Sequence, residues 1–430
     1  MTWRQLVIVS VSICAAASLA RAQTAPSALS VADLVGMAAQ RNREFLAVKQ
    51  RVAETQGLLR QAGVRPAPAV EIEESTGRPL GSAGEQAFSA AYFHTIETFG
   101  KRDKRIAVAH KSTEAVQADL ADHLRLLTLD VKVRYAEAVR EQRKLETIQR
   151  LLSTNREYYT LTDMRVRHGD AAPLEGQLFL TDLSRVQVQQ VVLANSADRA
   201  LLELRKVVGA APAEPLQLAT AVPPPATASG LSELQERALR DRPDLHALRL
   251  VEEQAVAEET LARAEGKPDL TASARYVRSD SGFDQLGYNA AGQLVPVRGR
   301  DNVLTFGLSV LLVPPRRNQG AIEAAQARSV AARLRREHLE SVVRLEVEAA
   351  FRRWQSARSA VDILDQGVIG QSEKNLAVFR QAYTLGQFRV LDVLVEQRRL
   401  IETQLTYLDL QSELFEAVAE LEASVGGSLR

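Results

Sequence analysis

The chain has 430 residues, of which 46% are hydrophobic and 25% charged, and a formal net charge of +1, a balance ordinary for a folded protein. So small a net charge gives no long-range field for a polyanion, which excludes nucleic acid as a partner class. Aromatic residues make up only 5%, fewer than enzyme cores usually carry, and the surplus of Ala, Leu, Arg, Glu and Gln favours helices packed as coiled coils.

Met1 to Ala22 predicts a secretory signal: Arg4 in a short basic start, an apolar run from Leu6 to Ala17, and Ala20-Arg21-Ala22 as the cleavage site before Gln23. The apolar run is shorter than the about 20 residues of a spanning helix. Cys14, the only cysteine, falls inside it behind Ile13 rather than a small residue, which predicts cleavage without lipid attachment. A chain so processed has no disulfide and no thiolate metal site. No later apolar run is long enough for a membrane helix, leaving a periplasmic, secreted or outer-membrane β-barrel protein.

Leu29 to Gln61 reads as one amphipathic helix, opened by Ser30 as N-cap with Asp33 in the first turn. Ala69 to Ser75 and Gln86 to Glu97 read as two strands joined by a loop, Thr76 to Glu85. Lys101 to His168 follows without a glycine or proline and, if helical throughout, reaches roughly 100 Å. Its apolar residues Leu120, Leu124, Leu127, Val131, Ala138, Leu145, Ile148 and Leu152 form a coiled-coil seam. Arg134 and Glu141 interrupt the seam, so one helix and two stacked helices with a bend near Arg134 are both open. A rod of this length needs other long helices to pack against. Leu174 to Val208 supplies one, with Leu183, Val186, Leu193, Ala197, Ala200, Leu204 and Val207 in its seam; the turn at Gly169 and Asp170 makes the pair an antiparallel hairpin. Gly209 to Gly230, with Pro212, Pro215 and Pro223-Pro224-Pro225, reads as a linker.

The second half repeats the first. Asn42-Arg43-Glu44-Phe45 corresponds to Arg242-Pro243-Asp244-Leu245 and Pro68-Ala69-Val70 to Pro268-Asp269-Leu270, at one offset. Gly169 with Leu174-Glu175 corresponds to Gly386 with Leu391-Asp392 at a larger one, so an insertion lies between, assigned to a loop over Ser281 to Asp301. Ala321 to Thr384 is the copy of the long rod. The expected division is a signal over 1–22, a first repeat over 23–208, a linker over 209–230 and a second repeat over 231–430.

In Asp269 to Arg278, Leu270, Ala272, Ala274 and Tyr276 alternate with polar residues, and in Asn302 to Leu312 so do Leu304, Phe306, Leu308, Val310 and Leu312. Period two over about ten residues matches strands of a membrane barrel. The same alternation suits a sheet on a soluble core; the export signal and the rods favour the barrel. Four strands close around no lumen, so several chains must each contribute four.

This order of elements resembles the TolC-like outer-membrane efflux proteins over essentially the whole mature chain. The junctions Glu97-Thr98-Phe99-Gly100-Lys101-Arg102-Asp103-Lys104-Arg105 and Val313-Pro314-Pro315-Arg316-Arg317-Asn318-Gln319-Gly320 resemble those of its heavy-metal, CzcC-type branch. The resemblance implies a mainly α fold with a small β part: long antiparallel helical hairpins forming an α-barrel, and four membrane strands per chain that complete a twelve-stranded barrel in a homotrimer. It also implies a periplasmic adaptor, an inner-membrane pump of the resistance-nodulation-division (RND) type, outer-membrane lipid as surroundings, and export of heavy-metal cations.

Lys101, Arg102, Lys104 and Arg105 open a helix, where positive charge opposes the macrodipole. With Arg316 and Arg317 they are candidates for contact with lipid phosphates, the alternative being a solvated charge run. By resemblance, Asp392 falls on the aspartate that rings the constricted periplasmic end of the tunnel, while the second aspartate, three residues on, is Val395 here. Three copies of Asp392 would favour cations, and Glu396, one turn on, is expected to add a second ring; an ordinary exposed carboxylate is the alternative. Glu175, its counterpart in the first repeat, and Asp170 are further candidates. The turns around Gly169, Asp170, Gly386 and Gln387 would be the adaptor-contact tips. The histidines His94, His110, His123, His168, His246 and His338 show no ligand spacing, and only Met37 and Met164 remain after cleavage, so no metal site and no cofactor are expected. No nucleophile elbow, phosphate loop or zincin motif appears, which predicts no enzymatic activity. A drug or protein export duct is the nearest alternative function. A periplasmic adaptor or scaffold without a pore is the alternative of another class; an adaptor would show one hairpin, where this chain shows two.

Overall fold

The computed structural model describes residues 28–81, 85–219, 230–312, 314, 318–385 and 387–429. The expected signal segment, residues 220–229 of the Pro-rich linker, Arg316, Arg317 and Gly386 lie outside the described residues. In chain order the elements are α1 (Val31–Arg41), α2 (Arg43–Ala62), β1 (Ala69–Thr76), β2 (Gln86–Ile96), α3 (Lys101–His168), α4 (Pro173–Val208), α5 (Leu231–Asp241), α6 (Pro243–Glu265), β3 (Leu270–Tyr288), β4 (Leu294–Val310), α7 (Gln319–Asp365), α8 (Val368–Thr384) and α9 (Val390–Val425). The chain is mostly helical with one small antiparallel sheet. Among the described residues no helix is long and apolar enough to cross a membrane.

The long rod is one helix of 68 residues. Arg134 does not break it, because its guanidinium is paired along the same helix with Glu137 at 2.9 Å and Asp130 at 3.5 Å, so the polar interruption of the seam is satisfied locally. Three other expectations are corrected. Leu29 to Gln61 is two helices, broken at Asn42, whose backbone is extended (φ −65°, ψ 116°). Its side-chain oxygen caps α2 through the N–H of Phe45 at 3.0 Å, and its amide donates to the Val207 carbonyl at 2.8 Å. The break thus docks on the end of α4, where a Cβ on Gly209 would stand 2.8 Å from the Arg41 carbonyl. Ala321 to Thr384 is likewise interrupted: α7 ends at Asp365 and α8 begins after Gly367, at φ +118°, a conformation that favours glycine. Ser281 to Asp301 is not a loop but the distal part of the β3–β4 hairpin, with a register shift between Gly282 and Leu286. Its turn is closed by Asn289, whose side-chain oxygen accepts from the N–H groups of Ala291 and Gln293, with Gly292 at φ +74°.

Two apolar cores hold the helices. Leu34 and Ala38 of α1 pack on Val131, Tyr135, Ala138, Leu204 and Val208 of α3 and α4. Leu234 and Ala238 of α5 pack on Val343, Val347, Trp354, Leu421 and Val425 of α7 and α9. Each fully buried Leu or Val there contributes about 1.5–3 kcal/mol. The counterpart of Asn42 is Arg242, whose side chain is buried and paired with Asp244 and Glu346 at 2.6 Å each. It lies against Gly426 as Asn42 lies against Gly209.

The sheet is a meander, β1-β2-β3-β4, with β1 and β4 at its edges. The register puts Val70, Ile72, Tyr92, Ile96, Leu270, Tyr276, Leu304, Phe306, Leu308 and Val310 on one face, and most of these large side chains are well exposed, Phe306 at 76% and Leu308 at 74%. The opposite face carries Glu71, Glu73, Ser89, Thr271, Ser273, Arg275, Thr305 and Ser309, with Arg275 3.6 Å from Glu71 and 3.5 Å from Glu73.

Candidate functional site

At the far end of the second hairpin, Arg389 adopts an extended conformation (φ −88°, ψ 156°) and α9 starts behind it. Asp392 sits in the first turn and its carboxylate accepts the Arg389 N–H at 3.0 Å. That bond satisfies one helix-end donor and sets a negative charge where the macrodipole favours it. Asp392 is half-buried. Glu396 does not continue the same exposed face. It is buried at 8%, while Val395 is 62% exposed, because four residues along a helix overshoot one turn. That turns Glu396 in beside Val393 and Leu400, which pack on Leu376 of α8. Gln387 is exposed, its N–H bound to the Ala382 carbonyl at 2.9 Å.

At the first tip, Gly169 takes φ +80° and Asp170 donates its N–H to the Arg165 carbonyl at 2.8 Å. Both are exposed. Glu175, in the first turn of α4, accepts the Tyr383 hydroxyl at 3.0 Å, so it joins the first hairpin to α8. Burial first, and then the Glu175 carboxylate, push the Tyr383 phenol above its usual pKa. The Arg165 guanidinium lies 5.7 Å from the centre of the same ring.

Sequence reasoning missed two clusters that join the hairpins. Arg380 of α8 lies 5.1 Å from the ring centre of Tyr158, which stacks on Phe179 at 6.3 Å. Nearby, Gln397 of α9 donates to Asn155 of α3, which donates to Asp182 of α4 at 2.9 Å. Asn155 and Gln397 are 1% and 3% exposed, beside a cavity of about 60 Å³ lined by Asp182, Arg185 and Arg398. A signal was present: Asn155 follows Ile148 and Leu152 at seam spacing, where a buried polar residue fixes register.

The basic cluster at the strand–helix junction is engaged within the chain. Lys101 is buried, its ammonium 2.7 Å from the Lys267 carbonyl and 2.8 Å from Asp269. Burial opposes ionisation of Asp269, but Lys101 and the Thr98 N–H outweigh it and hold the carboxyl below its usual range. Arg102 donates to the Gly63 carbonyl at 2.7 Å and Lys104 to that of Phe99 at 2.6 Å, while Arg105 pairs with Glu97. These partners offset the macrodipole cost: Lys104 satisfies a carbonyl of the turn in which Phe99 (φ +54°) and Gly100 (φ +66°) are both left-handed, and Lys101 and Arg102 tie the helix start to the segment before β3 and to the end of α2. Among the described residues no group of three or more His, Cys, Asp or Glu is placed to hold a metal ion.

The fold recurs in solved structures. The outer-membrane channel OprN superposes with a TM-score of 0.70 at 19% identity, over 93% of this chain and 90% of that one. CusC gives 0.72 at 19%, over 93% and 92%. VceC of Vibrio cholerae, an outer membrane protein, gives 0.69 at 20%, over 93% and 97%. At such identities the likeness speaks for the fold alone. No curated protein matches the sequence. The sequence profile described as outer membrane efflux protein matches residues 34–210 and 234–427, and with most of its length so matched the chain belongs to the outer membrane efflux protein family.

Proposed function

We infer that three copies of this chain close one β-barrel in the outer membrane and one helical tunnel beneath it. The assembly is the exit duct of a tripartite efflux system, docked to a periplasmic adaptor and an RND-type pump, with heavy-metal cations as cargo. The sheet carries this reading. Its four strands leave β1 and β4 as unpaired edges and one face richly apolar, a combination that aggregates in water unless the edges find partners. Pairing β4 of each copy with β1 of the next gives twelve strands, with the apolar face toward lipid and Glu71, Glu73 and Arg275 toward the lumen. Each repeat, 23–208 and 231–430, supplies two strands and one hairpin.

The exposed tips at Gly169, Asp170 and Gln387 suit contact with an adaptor. Three copies of Asp392 around the axis form an acidic ring at the narrow end. Glu175 and Glu396, held between helices, act on the packing of the hairpins rather than on the cargo. The metal label rests on the junction sequences, and a duct passes ions without binding them tightly.

Membrane fractionation with crosslinking tests the assembly: a trimer in the outer-membrane fraction is expected, and a soluble monomer overturns it. Reconstituted Asp392→Ala channels should lose cation preference; unchanged ion selectivity removes the ring. A deletion strain should become sensitive to salts among Co, Zn, Cd, Ni, Cu and Ag. Sensitivity to organic compounds alone would make this a drug duct.

A further inference from the structure

Above the apolar band of the sheet lies a cluster of arginines that the duct reading leaves unused. On the lipid-facing side the register stacks rows of residues away from the helices: Leu270 with Val310, Ala272 with Leu308, Ala274 with Phe306, Tyr276 with Leu304. From Leu270 to Tyr276 this is roughly 20 Å of strand at about 3.4 Å per residue, close to the apolar height of a membrane barrel. Tyr276 ends the band in the manner of an interfacial aromatic, its hydroxyl donating to Asn302 at 2.8 Å. The next rows on the same face pair Arg278 with Asn302, Asp280 with Arg300 and Gly282 with Arg298.

The β3–β4 hairpin thus places three guanidiniums and one carboxylate side by side just beyond the hydrocarbon edge. Asp280 is 2.6 Å from Arg300 and 3.5 Å from Arg278, so it holds two of the arginines in position and neutralises one charge. Arg298 is exposed and has no ion pair or hydrogen bond among the described residues. On the neighbouring strands, Phe88 of β2 and then Glu74 of β1 share the row of Arg278. The helices leave the sheet at its opposite end, so if they are periplasmic these arginines sit at the outer leaflet.

We propose that Arg278, Arg298 and Arg300 form a docking surface for a phosphorylated glycolipid of the outer leaflet, whose phosphates accept the forked guanidinium donors while its acyl chains lie along Tyr276, Leu304 and Phe306. The inference rests on the barrel reading above. Its chemistry is a match of excess positive charge at a lipid boundary with a doubly charged phosphate.

The full-length protein, purified in detergent, is titrated with diphosphoryl lipid A, with the same lipid stripped of its phosphates, and with inorganic phosphate. Tight, saturable binding of the diphosphoryl form is expected, with at least about tenfold weaker binding of the stripped lipid and of free phosphate. The Arg278→Gln/Arg298→Gln/Arg300→Gln variant should lose at least about tenfold in affinity. Arg298→Gln alone, which breaks no bond among the described residues, should lose severalfold. Equal binding of phosphorylated and stripped lipid, or unchanged affinity in both variants, overturns the proposal. Fractionation of the same variants keeps the two readings apart: a trimer in the outer membrane with no lipid preference defeats only the docking surface, whereas a wild-type protein absent from the outer membrane defeats the barrel and the surface together.

Discussion

In the belt beside the short helices the two halves of the chain match residue for residue, with Leu34 and Ala38 on Leu204 and Val208, and Leu234 and Ala238 on Leu421 and Val425. Toward the tips the likeness ends. There α3 runs on unbroken to His168, while its counterpart breaks at Gly367 and continues as the 17-residue α8. The belt is apolar, closed by helix breaks wedged against Gly209 and Gly426. At the tips a smaller apolar cluster, Phe179 with Val390 and Leu394, is supplemented by polar links between the hairpins: Tyr383 with Glu175, Arg380 with Tyr158, and the Asn155–Gln397 pair. Apolar burial is lost only by separating helices, whereas polar contacts beside a cavity exchange with water at small net cost. The difference assigns stability to the belt and movement to the tips.

The largest expected effect lies in the belt. Gly209→Ala sets a Cβ 2.8 Å from the Arg41 backbone at φ +74°, and should cost more than about 2 kcal/mol, since the left-handed conformation alone costs about 1–2 kcal/mol. Urea unfolding of the assembled protein measures it, and an unchanged midpoint breaks the contrast. Gly367→Ala faces the same conformational penalty at φ +118° but meets nothing within 4 Å. It should cost about 1–2 kcal/mol, confined to faster hydrogen exchange in α8. A global loss would move α8 into the belt.

Tyr383→Phe removes one bond between the hairpins, worth about 1 kcal/mol, and should raise channel open probability with little change in unfolding. The pH dependence has a definite sign. The folded phenol titrates above its usual value, so its contribution is complete below about pH 10 and is lost as pH rises through the folded pKa. Wild type should therefore approach the Tyr383→Phe behaviour only in strong base. The smallest effect is a gain: Gly57→Ala in α2, with open space around it, should stabilise by about 0.5–1 kcal/mol.

Several elements were legible before any coordinates. Lys101 to His168 is helical because nothing in it breaks a helix, though the interrupted seam leaves its continuity past Arg134 open; β1 and β2 show by the loop between them, and the proximal parts of β3 and β4 by their alternation. The breaks were not, for two reasons. Asn42 is an acceptable helix residue, and the extended backbone there is favoured by the Val207 carbonyl and the space at Gly209, both far along the chain. Gly367 stood in the sequence, but the repeat argued for a continuous copy of α3. The distal β3–β4 hairpin reads as loop because Gly282, Gly287 and Gly292 mask its pairing. The burial of Lys101 was not legible because its partners, Lys267 and Asp269, are remote from it in sequence.

The sequence by itself determined most of the long helices, the membrane-type strand segments and the family, since periodicity and turn residues act over a few neighbours. Only the tertiary structure decided which charges are spent within the chain and which remain for a partner. Asp392 caps its own helix, Glu396 is turned inward, Glu175 holds Tyr383, and Arg298 is left exposed. Those outcomes depend on distances between residues far apart along the chain, and no local pattern encodes a distance.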